Sequence, residues 1–161
     1  MATVEDAVAA QVLEPYPLPD WELRLPIRPL WVAFELWDWI DGKDELHDMA
    51  LAVGRRTLFE HLEQMFCDFR CAPRFPAGDL RQMMPTKHGV RSMRPAGLRI
   101  YGWCPKPHAF VAITGALEID TKTDKKLNDK KRDDVLSFIK THKLQHTCLL
   151  YTSPSPRDRQ K

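Results

Sequence analysis

Apolar and polar positions alternate weakly between residues 87 and 126, the stretch around which the chain is organised. Residues 97–103 (GLRIYGW) and 109–115 (AFVAITG) are short runs rich in β-branched and aromatic side chains, separated by CPKPH at 104–108. Such a pattern predicts a β-hairpin, with both prolines in the connection where no ladder hydrogen bond is lost. A third run, residues 89–94 (GVRSMR), is joined to it through Pro95-Ala96-Gly97, a turn signal. The expectation is a three-stranded antiparallel meander. Alternation puts Leu98, Ile100 and Gly102 on one face and Arg99, Tyr101 and Trp103 on the other. Arginine and tyrosine side by side on one sheet face read as a site rather than a core.

Helical periodicity is found on both sides of this segment. Residues 3–13 predict a short helix, after which Pro15, Pro17, Pro19, Pro26 and Pro29 impose an extended or looping path. Within that stretch residues 21–27 (WELRLPI) alternate as a short strand, and Pro26 makes it an edge. Leu30, Ala33, Phe34, Trp37 and Ile40 follow helical spacing, with a strand over WVAFELW as the competing reading. Trp31, Trp37 and Trp39 read as core or interface residues. Residues 44–66 give the clearest helical stripe, Leu51, Leu58, Leu62 and Met65, with Asp44 as its cap and Gly54 as a candidate break. Residues 72–86, with three prolines and a glycine, read as a loop. After the meander, residues 116–126 either prolong the last strand through Ile119 or loop. A final helix then starts at Asn128 with the stripe Val135, Phe138, Ile139 and His142.

Composition narrows the class. A chain of 161 residues with 43% hydrophobic and 29% charged residues is expected to form one globular domain. We expect a peripheral segment over residues 1–20, an α+β domain over 21–145, and a disordered, non-native tail over 146–161. The tail, HTCLLYTSPSPRDRQK from His146, has no apolar period, and it resembles the translation of sequencing-adapter read-through. The natural chain is therefore expected to end or diverge near Gln145. The acidic N-terminus lacks an apolar signal core and no run of about 18 apolar residues occurs, so a cytoplasmic location and no membrane partner are expected. Cys67, Cys71, Cys104 and Cys148 are then expected as free thiols. Cys67 and Cys71 have three residues between them and no second pair follows, so neither a metal nor a cofactor is expected.

Charge adds a direction. The net charge of +2 conceals −7 over residues 1–86, where 8 Lys/Arg face 15 Asp/Glu, and +7 over residues 87–145, where 13 face 6. A basic C-terminal half of this kind suits contact with phosphate groups.

The predicted fold class is α+β, a small antiparallel sheet of one edge strand and the three-strand meander, packed on one face by two or three helices. That order of elements resembles the RelE/ParE (HigB-like) toxin superfamily and its phage-borne relatives. In that family the second strand often reads like GLYELR, where this chain has GVRSMR at 89–94. The third often reads like YRIxY, where this chain has LRIYG at 98–102. The fourth ends in a Lys-Lys-containing loop, where this chain has Lys122, Lys125 and Lys126. The resemblance implies an RNA-binding toxin, in its ribonuclease members a metal-independent endonuclease acting on mRNA in the ribosomal decoding site. It implies Arg94 and Arg99 on the scissile phosphate, positive charge from Lys122, Lys125 or Lys126, and Tyr101 in proton transfer or base stacking. Lys87 and Arg91 complete the RNA-facing set by charge and position. Fixed cations of this kind would stabilise the extra charge of the phosphorane, and such electrostatic stabilisation is commonly what lowers a barrier most. The family's strand tyrosine is Arg91 here and its glutamate Ser92, Tyr151 lies in the tail, and His142 corresponds to the late-helix tyrosine only by position. The alternative is a non-catalytic phage or mobile-element protein of the same fold that docks an antitoxin or another acidic partner.

Overall fold

Strands form where β-branched and aromatic residues concentrate. The expected meander is present as β4 (Val90–Met93), β5 (Leu98–Trp103) and β6 (Phe110–Leu117). β6 also pairs in parallel with β2 (Leu30–Ala33), with Leu30 opposite Phe110 and Val32 opposite Ala112. β1 (Leu13–Pro15) lies outside β2, and β3 (Leu80–Gln82) lies outside β4. The computed structural model, which describes residues 1–144, thus holds a six-stranded mixed sheet in the order β1-β2-β6-β5-β4-β3.

The fold is α+β, with a larger sheet than expected and helices on both of its faces. On one face α1 (Val4–Ala9) and α5 (Leu127–Thr141) pack over Leu13, Trp31, Tyr101, Trp103 and Val111. On the other, α2 (Phe34–Gly42) and α3 (Leu58–Cys71) pack over Leu30, Met93, Leu98, Ile100 and Phe110. A short helix, α4 (Glu118–Thr123), links β6 to α5. Covering both faces requires an apolar β6, and every residue from Phe110 to Ile113 is buried. Among the described residues no helix is long and apolar enough to cross a membrane.

A bulge on β6 sets the register. Tyr101 faces Thr114 while Gly102 faces Ala112, which leaves Ile113 as the extra residue. The β6 backbone comes so close here that a Cβ on Gly102 would run into the Val111 carbonyl. This position needs glycine for close approach.

Several expectations are corrected. Residues 21–27 form no strand, and Leu23 and Leu25 stand in solvent. Pro26 has no N–H, while the amides of Ile27 and Arg28 both donate to the Arg70 carbonyl near the end of α3, at 2.6 and 3.0 Å. The strand of this region is β2, so residues 30–40 divide: the first four extend and the helix begins at Phe34. Parallel pairing with β6 overrides the helical spacing there. Residues 44–56 make two 3-10 turns and a loop rather than the first half of a helix. The cap of α3 is Thr57, not Asp44. Its hydroxyl accepts from the Glu60 amide at 3.1 Å and its amide donates to the Glu60 carboxylate at 3.3 Å, a capping box. The segment 1–20, expected at the periphery, contributes an outer strand and buries Val4, Ala7, Leu13 and Tyr16. The expectations for the tail, with Cys148 and Tyr151, lie outside the described residues.

Two substitutions test this account by thermal or denaturant unfolding. Thr57→Ala removes the cap and should cost about 1 kcal/mol, lowering Tm by about 3 °C. Gly102→Ala should cost more than the roughly 1–3 kcal/mol of ordinary core overpacking, because the obstacle is backbone. An alanine variant as stable as wild type would contradict the β5–β6 register.

Candidate functional site

Strand periodicity places the site. On the α5 side of the sheet, register aligns Arg81 on β3 with Ser92 on β4 and Ser92 with Tyr101 on β5. Arg94 directly follows β4 and Arg99 is the second residue of β5, so both fall at the end of the sheet where β6 runs into α4. Gly97, at φ +72°, makes the turn between them and accepts a hydrogen bond from the Glu118 amide at 2.9 Å. That bond fixes the start of α4 beside the two arginines.

The charges there are unbalanced. Arg99 donates to the Leu98 carbonyl at 2.9 Å and meets the Glu118 carboxylate at 3.4 Å, while Lys122 reaches the same carboxylate at 2.8 Å. Arg81 donates to the Gly78 carbonyl at 3.0 Å. Arg94 is half-buried and its Nε donates to the Ser92 hydroxyl at 3.4 Å. Among the described residues it has no carboxylate within ion-pairing distance. Burial lowers the pKa of Arg94, and the Arg99 and Arg81 charges lower it further. Among the described residues the carboxylate that contacts this cluster is Glu118, paired with Arg99 and Lys122 and not with Arg81 or Arg94, and its pKa is lowered mainly by its bond to Lys122. A cluster of like charge with one guanidinium left over is suited to receive an anion.

Tyr101 does not lie open as expected. It is fully buried under α5, and its hydroxyl donates to the Asn128 side-chain oxygen at 2.5 Å. The face that alternation suggested as a site is a second core along most of its length, because α1 and α5 cover it. Burial pushes the Tyr101 pKa up to about 12, against the opposing pull of Arg99 and Arg94. A neutral hydroxyl already committed to Asn128 anchors α5 and is poorly placed to move a proton.

The remaining expected residues divide. Lys122 joins the cluster through Glu118, and Lys125 and Lys126 are exposed on the turn between α4 and α5, at its rim. Lys87 is exposed in the 3-10 turn before β4, at the other end of that strand. Arg91 alternates with Ser92 and so faces the α3 side, opposite to Arg94. His142 lies against Phe138 at the far end of α5, ring centroids 4.4 Å apart and planes tilted by 55°. Sequence reasoning missed Arg81, Ser92, Glu118 and Asn128. Only the β3–β4 register, invisible before β3 was known to pair with β4, brings Arg81 to the site.

No protein-family model, no curated protein and no solved structure matches the chain. The chemistry must be read from the geometry.

The Tyr101 environment has a pH signature. Its folded pKa, about 12, lies above the ordinary 10.0, so the neutral form stabilises the fold. That contribution is full below pH 10 and is lost as pH rises towards 12. Tyr101→Phe should cost about 1 kcal/mol near neutral pH through the lost hydrogen bond, and should remove part of the alkaline destabilisation. Unfolding curves of both proteins across this range check it. Parallel pH dependence in the two would contradict the burial.

Proposed function

We propose that this protein binds RNA through the sheet-end cluster of Arg81, Arg94, Arg99 and Lys122, with Lys125 and Lys126 extending the contact. The observation that carries the reading is Arg94, a half-buried guanidinium flanked by two others with no carboxylate of its own. Phosphate supplies what the chain does not: bidentate acceptors for the planar guanidinium and charge to offset the crowding. Exposed lysines at the rim suit a polyanion that continues past one phosphate. Kinship with the RelE/ParE superfamily, and the mRNA cleavage it implies, is the stronger form of this proposal. In that form Arg94 and Arg99 stabilise the phosphorane, while the proton transfers need a group other than Tyr101.

A second reading is an interaction protein with an acidic partner. It is favoured by the row Trp21, Leu23, Leu25 and Ile27, all exposed on one extended segment, whose Arg24 is already paired with Glu22 and Asp68. An apolar row of this kind is a common mark of protein contact.

Titration of a labelled single-stranded RNA at several salt concentrations separates the two. Wild type should bind, with affinity falling steeply as salt rises. Arg94→Ala/Arg99→Ala should weaken binding by about tenfold or more and reduce the log–log salt slope by about 1.4, two phosphate contacts at ~0.7 each for single strands. Gel analysis of the same mixtures reads cleavage. Equal binding by the double variant would remove RNA from this face, and no binding by wild type would favour the interaction reading.

A further inference from the structure

A large cleft among the described residues lies on the opposite face from the Arg94 cluster. It has a volume of about 800 Å3 and opens between the loop after α3 and the β5–β6 hairpin. That size is within the range of small-molecule sites, roughly 300–1,000 Å3. Its wall carries Arg28, Arg74, Arg91, Lys106 and His108, and none of its lining residues is Asp or Glu.

The cations play different parts. Arg28 is committed to the fold: its guanidinium donates to the carbonyls of Phe69, Ala72 and Pro73 at 2.9, 2.6 and 3.1 Å. Those bonds hold the segment after α3 and so set one wall of the cleft. Arg74 is exposed and Arg91 half-buried, and among the described residues neither has an ion-pair partner. Lys106 is exposed, and its ammonium lies 5.9 Å from the ring of Trp31, a residue of the α5-side core, so it belongs to the rim of the cleft. His108, at φ +62°, stands exposed in the hairpin turn.

The floor is apolar. Phe75 is half-buried and meets Phe69 edge-on, with centroids 5.2 Å apart and planes at 83°. Leu80 and Cys104 lie beside it. An inorganic anion would leave this floor uncovered, and an apolar ligand would desolvate guanidinium groups without replacing their water. A ligand with a flat aromatic ring at one end and several negative charges at the other satisfies both.

We propose that this cleft binds a free nucleoside di- or triphosphate, the base against Phe75 and the phosphates between Arg74 and Arg91. The site does not depend on the RNA reading, since Arg91 and Arg94 point to opposite faces of β4. Calorimetric titration of the full chain with ATP, GTP, tripolyphosphate, adenosine and a short RNA tests it. ATP or GTP should saturate at one per chain, adenosine should show no saturation, and tripolyphosphate should bind about tenfold more weakly because base stacking is lost. Arg74→Ala/Arg91→Ala should weaken ATP binding by more than tenfold, and Phe75→Ala should reduce ATP to the tripolyphosphate level. Circular dichroism confirms that each variant is folded. Should Phe75→Ala not fold, the tripolyphosphate comparison on wild type carries the aromatic half of the test. Tripolyphosphate binding as tightly as ATP, no saturable nucleotide binding, or RNA binding that ATP does not displace but Arg74→Ala/Arg91→Ala abolishes would each overturn the proposal. So would a loss of ATP binding confined to Arg94→Ala/Arg99→Ala.

Discussion

β6 is hydrogen-bonded along both edges and covered on both faces, and the rest of the structure follows from that. Its antiparallel ladder to β5 is the local hairpin, whereas its parallel ladder to β2 joins segments about 80 residues apart. Closing so long a loop is entropically unfavourable until the packing of α2 and α3 rewards it. Thr114 is the one polar side chain on β6, and its hydroxyl accepts a hydrogen bond from Lys131 at 3.3 Å. Charged groups are excluded from the centre of the sheet and collect at strand ends, in the β4–β5 turn and the β5–β6 hairpin. The two cationic regions therefore sit at opposite ends of the meander.

Strand parity divides them further. β4 has four residues, and the odd step between Arg91 and Arg94 puts them on opposite faces, three positions apart in sequence. A basic run in sequence thus becomes two separate surfaces. Each is held by a different structural arginine device. At the α5 side Arg99 shares Glu118 with Lys122, and among the described residues Arg94 has no ion-paired carboxylate. At the α3 side Arg28 is saturated by carbonyls, and among the described residues Arg74 and Arg91 have no ion-pair partner.

The meander was legible because its pattern is local: β-branched runs, a proline-bounded connection and Gly97 at the turn all agree. The final helix was legible through its apolar stripe and its flanking charges. The second half of the long expected helix is also present, but it starts at the Thr57-x-x-Glu60 box, a local signal stronger than the Asp44 cap that was expected. What could not be read was non-local. Nothing in LWVA distinguishes a first helical turn from a strand that β6 will claim in parallel. Nor does alternation reveal whether a face carrying Arg99, Tyr101 and Trp103 will meet water or a helix. The arginine at the strand end stays near the surface and the aromatics toward its middle are sealed by α5, so one face is part site and part core.

This division bears on what Tyr101 contributes. A buried, neutral tyrosine beside Arg94 and Arg99 would ordinarily be drawn towards ionisation by their charge, yet burial dominates and its pKa rises. Its hydroxyl instead fixes Asn128 at the start of α5, and with it the turn that carries Lys125 and Lys126. The tyrosine acts on the cluster through position, setting where the rim lysines stand relative to the guanidinium groups. An anion arriving at Arg94 would meet a half-buried guanidinium already placed by the fold, with the exposed lysines left to order around it. Cationic crowding and a fixed scaffold are two halves of one arrangement: without the Tyr101–Asn128 anchor, repulsion among Arg81, Arg94 and Arg99 could be relieved by movement of α4 and α5 rather than by a ligand.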